Sequence, residues 1–159
     1  MNLIMREIEF AKILPVWRDM LWPGRVSTIR PYSTMVYLGG KDQSISTKYA
    51  DDARFFSVTD QDGNRLVGVF SGHPTSDTHY RGRGLYVNPD YQRLGVGTML
   101  VQTVVNAAQV ADRDVCWCIP RVANVAFFQS CGFVQTSAET TIDMEFGPNV
   151  YMARALLPF

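Results

Sequence analysis

Hydrophobic residues alternate with polar ones or form short apolar runs in seven short segments, and they recur every three or four residues in three others. The first pattern predicts β-strands at residues 6–10, 54–59, 65–71, 78–87, 114–119, 140–146 and 150–156. The second pattern predicts helices at residues 13–21, 96–111 and 122–131. This order predicts an α/β (α+β) fold with a mixed, mostly antiparallel twisted sheet of about seven strands flanked by helices. We expect one parallel pair of neighbouring strands, after the long helix.

Turn residues separate these segments. Asp62 and Gly63 form a hairpin signal between the second and third strands, and Gly147, Pro148 and Asn149 mark a turn before the last one. Residues 25–52 carry only a weak pattern, which we interpret as a variable region on the substrate side.

Length and composition indicate one globular domain over residues 1–159. Fifteen acidic side chains balance fifteen basic ones, so we expect neither a nucleic-acid partner nor a membrane partner. No apolar run reaches the length of a membrane span, and the first residues lack the layout of a signal peptide. We therefore expect a cytoplasmic protein whose three cysteines are reduced thiols. The sequence leaves open whether it forms a homodimer.

The most informative stretch joins a strand end, Leu85, Tyr86 and Val87, to a helix through a turn that contains Gly95 and Gly97. Glycines let backbone N–H groups approach a ligand closely. The first N–H groups of a helix have no internal partners, and the helix dipole favours an anion there. The stretch therefore predicts a phosphate site, with an ordinary strand-to-helix turn as the alternative.

Two known phosphate motifs do not fit this spacing. A dinucleotide fingerprint needs a glycine where Leu100 stands, and the Gly-Lys-Ser/Thr of a P-loop occurs nowhere in the chain. The arrangement Gln92-x-x-Gly95-x-Gly97, after a strand and before a helix, instead resembles the acetyl-CoA signature of the GNAT superfamily of N-acetyltransferases. The predicted order of strands and helices is similar to that of the family as well.

The resemblance implies acetyl-CoA as cosubstrate, no metal, and a GNAT-type sheet whose central strands splay apart around the cosubstrate. It implies that an N–H group of Leu85 or Val87 stabilises the oxyanion that forms when an amine attacks the thioester directly and a tetrahedral intermediate collapses. The residues expected to contact acetyl-CoA are Leu85, Tyr86, Val87, Gln92, Arg93, Leu94, Gly95, Val96, Gly97, Thr98, Asn124, Phe127 and Phe128.

The chain departs from the family at both acid–base positions. Phe128 stands where relatives commonly have a tyrosine that protonates the leaving thiolate, so either CoA leaves as a free thiolate or another group serves. Cys131 is one such group, although it is more simply a packed thiol. Arg81 and Arg83 stand where many relatives have a glutamate or histidine, and arginine cannot act as a base at neutral pH. We predict His79, on the same strand face, as the general base.

Arg81 and Arg83 also indicate the acceptor. Arginine binds carboxylates and phosphates with two parallel hydrogen bonds, so we expect a small amine that also carries an acid, with Trp22 lining its groove. Solvated or ion-paired arginines are the alternative. Two other functions stay open: a module that binds or senses acyl-CoA without catalysis, and acetylation of proteins, which the neutral charge does not favour.

Overall fold

The computed structural model describes residues 1–33, 35, 37, 49–62, 64–138 and 145–157. Its strands are β1 (Leu3–Ile8), β2 (Arg54–Asp60), β3 (Arg65–Pro74), β4 (His79–Val87), β5 (Val115–Cys118), β6 (Val134–Gln135) and β7 (Met152–Ala155). Its α-helices are α1 (Phe10–Val16), α2 (Val96–Val110) and α3 (Val125–Ser130), and α1 continues into one π-helical turn, Trp17–Leu21. No helix in the described ranges is long and apolar enough to cross a membrane.

The described strands form one open sheet in the order β1-β2-β3-β4-β5-β7-β6. Every neighbouring pair is antiparallel except β4 and β5, which the long helix α2 connects in the sequence. The predicted seven-stranded, mostly antiparallel sheet with one parallel pair is therefore confirmed.

The parallel pair is short. His79 to Arg81 of β4 lie opposite Val115 to Trp117 of β5. From there to Val87, no strand in the described ranges pairs with β4 on that side. The two central strands thus separate after Arg81, and their separation leaves an opening in the middle of the sheet.

A β-bulge changes the course of β4 at this opening. Val69 lies opposite Tyr86 and Ser71 lies opposite Arg83, so the two residues between them on β4 face the single residue Phe70 on β3. One of these two is Gly84, whose φ of +78° lies in the left-handed region. A bulge bends its strand and increases the local twist. It also puts Arg83 and Tyr86 on the same face of the sheet.

Trp17 lies against this bulge. The indole is fully buried, and its Nε1–H donates a hydrogen bond to the carbonyl of Gly84 at 2.8 Å. A Cβ atom on Gly84 would be 2.4 Å from the indole ring, so only glycine allows the contact.

The two faces of the sheet carry separate hydrophobic cores. One core packs α2 and α3 against the sheet, and the buried side of α2 consists of Val96, Leu100, Val101, Val104, Val105, Ala107 and Ala108. The other core packs α1 and the π-helical turn against the opposite face through Ile13, Trp17, Phe55 and Val69. The predicted apolar stripe of α2 is thereby confirmed.

Several predicted bounds were wrong. The first strand is Leu3–Ile8 rather than residues 6–10, because Phe10 begins α1 and packs its ring against Trp17 and Phe55. Strand β6, Val134–Gln135, was not predicted. Of the strand predicted at residues 140–146, residues 140–144 lie outside the described ranges and Glu145 and Phe146 lie in a turn. Gly63 of the predicted hairpin also lies outside them, although β2 and β3 pair as a hairpin.

We expect Gly84→Ala to lower the free energy of unfolding by about 3 kcal/mol or more, because it adds a clash with Trp17 to the strain of a left-handed alanine. Gly24→Ala is the matched control, since Gly24 has a φ of +76° and open space around the Cβ position. It should cost only about 1 kcal/mol. Urea unfolding measures both values, and equal losses would show that Trp17 does not require glycine at position 84.

Candidate active site

A cavity of about 210 Å³ lies where β4 and β5 separate. Its walls come from β4, the segment after β5, the segment after the π-helical turn and the start of α3. The charged residues among the described lining are four arginines and one glutamate, namely Arg25, Arg81, Arg83, Arg121 and Glu145. The cavity therefore favours an anion.

Arg81 is the most unusual of these arginines. Its side chain is only 7% exposed, and within the described chain neither Nε nor Nη1 has a hydrogen-bond partner. Its guanidinium lies 5.3 Å from the ring centre of Trp117. Burial lowers the pKa of Arg81 to about 10, so the group stays charged at neutral pH. A buried cation with unsatisfied N–H groups, facing a cavity, is suited to bind an anionic ligand.

Arg83 is equally buried but already has partners. Its Nη1 donates to the carbonyl of Arg30 at 2.7 Å, and its guanidinium lies over the rings of Trp17 and Trp22. Burial, together with the charge of the neighbouring Arg81, lowers the pKa of Arg83 to about 9. Arg83 therefore fastens the segment around Arg30 to the cavity wall, and it contributes positive charge from there.

The π-helical turn brings the two tryptophans together. The backbone N–H of Trp22 donates to the carbonyl of Trp17 at 2.7 Å, a bond across five residues. In a regular α-helix, residues five apart point about 140° away from each other. The wider turn reduces this angle, so the two ring centres lie 5.3 Å apart and both indoles reach Arg83. Trp22 lines the cavity, and its contact with the acceptor stays a prediction.

Glu145 is the only carboxylate among the described lining residues, and it is already hydrogen-bonded. It accepts from the backbone N–H groups of Val26 and Ser27, at 2.9 and 3.1 Å, and from the Ser27 hydroxyl. These bonds, the Ser27 hydroxyl first, lower the pKa of Glu145. The carboxylate thus holds two distant segments together at the cavity rim.

His79 does not line the cavity. It lies opposite Val115, where the central strands are still paired, and its Nδ1 is 2.8 Å from the Thr78 hydroxyl. Its pKa is lowered mainly by burial, against an opposing effect of Asp114. Its role as base stays a prediction.

His73, which the sequence did not single out, lies directly across from Arg81 on β3. It is 2% exposed, and its Nε2 accepts a bond from the backbone N–H of Ser33 at 3.4 Å while Nδ1 faces the carbonyl of Pro74 at 3.2 Å. Burial, and then the charge of Arg81, lowers its pKa to about 3. The neutral ring links β3 to the segment that covers the cavity.

The predicted phosphate turn is open to solvent. Gln92, Arg93, Leu94, Gly95 and Thr98 are exposed, and Val96 and Gly97 begin the helix. Gly95 caps α2 with a φ of +79°, and the first helical hydrogen bond runs from Met99 N–H to its carbonyl. The N–H groups of the first helical turn therefore have no partner within the helix. This geometry fits an anion such as the diphosphate of acetyl-CoA.

Gly97 has a packing function beside its predicted place in the phosphate turn. A Cβ there would lie 3.0 Å from the ring of Phe127, so this glycine allows α3 to pack closely on α2. On α3, Phe128 lines the cavity, 4% exposed, with its ring edge-on to Phe127 and Phe133. No tyrosine occurs among the described lining residues, so the position of the usual acid carries no hydroxyl.

The unpaired side of β4 presents backbone donors to the opening. Asn88 N–H donates to the carbonyl of Val67, on the β3 side, at 2.7 Å. Because N–H directions alternate along a strand, the N–H of Val87 points the other way, into the gap left by β5. Leu85 and Asn124 line the cavity itself. These residues suit the extended arm of acetyl-CoA, and their contact with it stays a prediction.

Comparisons with known proteins give a consistent result. The family profile described as "Acetyltransferase (GNAT) domain" matches residues 51–135. A search of curated proteins yields no match.

Three solved structures illustrate the likeness of fold. Ard1 from Thermoplasma volcanium is similar with a TM-score of 0.67 and 20% identity over 99% of both chains. The ribosomal-protein-S18-alanine N-acetyltransferase from Escherichia coli has a TM-score of 0.64 and 15% identity, covering 97% of this chain and 94% of its own. An aminoglycoside 6'-N-acetyltransferase complexed with coenzyme A has a TM-score of 0.55 and 15% identity, over 67% and 74% of the two chains.

We expect acid to destabilise the protein through His73. Its pKa rises from about 3 in the folded state to 6.5 in the unfolded state. The unfolded state therefore binds the extra proton as the pH falls. The contribution of His73 is complete above pH 6.5 and is lost toward pH 3, by about 2 kcal/mol between pH 7.5 and pH 5. Urea unfolding should show this slope in the parent and in His79→Gln, and a much smaller slope in His73→Gln. Equal slopes in all three proteins would contradict the assignment.

Proposed function

Because the chain belongs to the GNAT acetyltransferase family, we propose that it transfers the acetyl group of acetyl-CoA to the primary amine of a small acceptor that also carries an acidic group. The proposal rests above all on Arg81, a buried guanidinium with unsatisfied N–H groups in the cavity between the separated strands. The cytoplasm is the proposed compartment, since Cys116 and Cys118 are buried free thiols, which suit a reducing environment.

Acetyl-CoA, when bound, supplies the acetyl group as a thioester. The first turn of α2 and Arg93 hold its diphosphate, because unpaired N–H groups and a cation favour an anion at that place. The backbone N–H of Val87 donates to the carbonyl oxygen of the thioester and stabilises negative charge there as the amine attacks. The Leu85 N–H, at the bulge, is the second candidate for this donor.

The arginines select the acceptor. The acidic group of the acceptor binds Arg81, whose Nε and Nη1 have no partner in the described chain and are each available to donate a charge-assisted hydrogen bond. Four arginines against one glutamate disfavour a polycationic acceptor such as an aminoglycoside. They favour a molecule whose acid lies a few bonds away from its amine.

The same charges help to form the neutral amine that must attack. A nearby cation destabilises an ammonium ion and so lowers its pKa. The cavity arginines thereby favour release of the proton to water, since the one carboxylate in the described lining, Glu145, already accepts three hydrogen bonds. His79 remains the predicted side-chain base, acting through water from outside the cavity.

Binding of acyl-CoA without turnover is the second candidate function. Phe128 favours it, because this residue cannot protonate the leaving thiolate. Release of free CoA thiol on mixing the protein with acetyl-CoA and amino acids separates the two functions, since a binding module releases none.

We expect acetyl-CoA to raise the melting temperature of the parent protein, with a stabilisation of about 2.7 kcal/mol at a hundredfold excess over Kd. Gly95→Asp should lose most of this effect, because its carboxylate lies at the anion site and repels the diphosphate. Gly95→Asn is the matched control: asparagine has nearly the same shape, also tolerates a positive φ, and carries no charge. Thermal melts of the three proteins with and without acetyl-CoA give the comparison.

Two outcomes would contradict this assignment. If saturating acetyl-CoA does not change the melting temperature of the parent protein, the assignment of acetyl-CoA as cosubstrate is wrong. If acetyl-CoA stabilises Gly95→Asp and Gly95→Asn equally, the diphosphate does not bind at this turn.

We expect Arg81→Gln to raise the KM for an acidic amine acceptor by about tenfold to a hundredfold while the KM for acetyl-CoA changes little. The fold should not lose stability, because the substitution removes a buried charge that has no partner in the described chain. The pH at which kcat/KM reaches half its maximum should rise, since one cation fewer acts on the acceptor ammonium.

Arg121→Gln is the control for net charge. Arg121 lines the same cavity, but its Nη2 already donates to the carbonyl of Leu21 at 2.9 Å. If both variants raise the acceptor KM equally, the arginines act only through the general field. If neither raises it, Arg81 does not bind the acceptor.

A further inference from the structure

Two residues in the cavity wall have buried polar atoms without partners. In the described chain, the unsatisfied buried side-chain atoms are Nε and Nη1 of Arg81, Oδ1 of Asn149 and the hydroxyl of Tyr80. Arg81 and Asn149 line the same cavity, whereas Tyr80 does not. Leaving such an atom unpaired costs about 1–3 kcal/mol, so a pair of them in one cavity indicates a ligand. Arg81 offers N–H donors, and Asn149 offers an acceptor oxygen.

The amide of Asn149 is held in one orientation. Its Nδ2 donates to the carbonyl of Ile119 at 3.1 Å, and the side chain is 5% exposed. A flipped amide would bring its oxygen against that carbonyl, so the Oδ1 atom must point away from Ile119. The neighbouring backbone is fixed as well, since Val150 N–H donates to Pro120 and Val122 N–H donates to Pro148.

The two residues reach the cavity from opposite sides of the opening. Arg81 is the last residue of β4 that has a partner on β5. Asn149 lies just before β7, and it is hydrogen-bonded to the segment that follows β5. A ligand between the separated strands therefore lies between the side chain of Arg81 on one side and that of Asn149 on the other.

We propose that Asn149 binds the amino group of the acceptor: its Oδ1 accepts one N–H while Arg81 binds the acidic group. This inference rests on the proposed function and narrows it to a compound that contains both groups, such as an amino acid or an amino phosphate. A primary amine that donates one N–H to Asn149 keeps its lone pair free for attack. Asn149 orients the amine and takes no proton, because an amide is not a base at neutral pH.

No carboxylate competes for this role among the described lining residues. Glu145, the only one, is exposed at the rim and accepts three hydrogen bonds from Val26 and Ser27. A neutral oxygen also suits the chemistry, since a carboxylate would stabilise the unreactive ammonium form of the acceptor.

The experiment compares matched ligands that differ only in the amino group. The probes are L-glutamate with glutarate, 4-aminobutyrate with butyrate, and 2-aminoethyl phosphate with ethyl phosphate, each titrated by calorimetry in the presence of CoA. The parent should bind the amino member of at least one pair about tenfold to a hundredfold more tightly than its partner. Asn149→Leu, which has a similar volume, should remove this preference and keep the affinity for the partner without the amine. Arg81→Gln should weaken both members.

The outcomes are distinct. If the parent protein does not bind the amino member of any pair more tightly than its partner, the inference is wrong, and no variant is needed to show it. A preference that persists in folded Asn149→Leu, or in Asn149→Ala if the leucine variant does not fold, overturns it too. A preference that depends on Asn149, without thiol release when acetyl-CoA is added, supports the binding role of Asn149 and rejects acetyl transfer.

Discussion

The contact between Trp17 and Gly84 determines the geometry of the whole site. The indole occupies the space of a missing side chain and donates a hydrogen bond to the backbone at that point. The bulge that accommodates it bends β4 as the strand leaves β5 and changes which residues share a face. The cavity, the position of Arg83 beside the indole and the unpaired N–H of Val87 all follow from this one approach of helix to strand.

The cavity concentrates positive charge on buried and half-buried side chains, and the protein stabilises some of these charges more than others. Arg83 and Arg121 donate to main-chain carbonyls and lie over aromatic rings. Among the described residues, Arg81 has the face of Trp117 but no hydrogen-bond partner for Nε or Nη1. A buried ion without hydrogen-bond partners destabilises the folded state. Such an ion is understandable where a ligand supplies the missing hydrogen bonds. Arg81 thus favours binding of an anion, at a cost to the stability of the fold.

The sequence predicted those features that depend on neighbours along the chain. The order of strands and helices, the apolar side of α2 and the phosphate turn follow from hydrophobic spacing and from glycine at a helix start. Features that depend on distant contacts could not be predicted. Gly82 and Gly84 look alike in the sequence, and only the position of Trp17 decides which of them has a positive φ. The sequence around Asn149 predicts only a turn. The orientation of its side chain depends on a hydrogen bond to Ile119, thirty residues away, which the sequence does not reveal.

The π-helical turn makes the length of the first helical segment as important as its composition. Trp17 and Trp22 meet only because one hydrogen bond spans five residues instead of four. Removing a single residue between them would restore a regular α-helix, whose local hydrogen bonding is better. The two tryptophans would then lie four residues apart, a spacing that puts side chains about 40° apart on the same face of a regular helix. A regular α-helix over the present, undeleted residues would instead place them about 140° apart, so a substitution that restores regular hydrogen bonding here without shortening the segment would separate the two indoles.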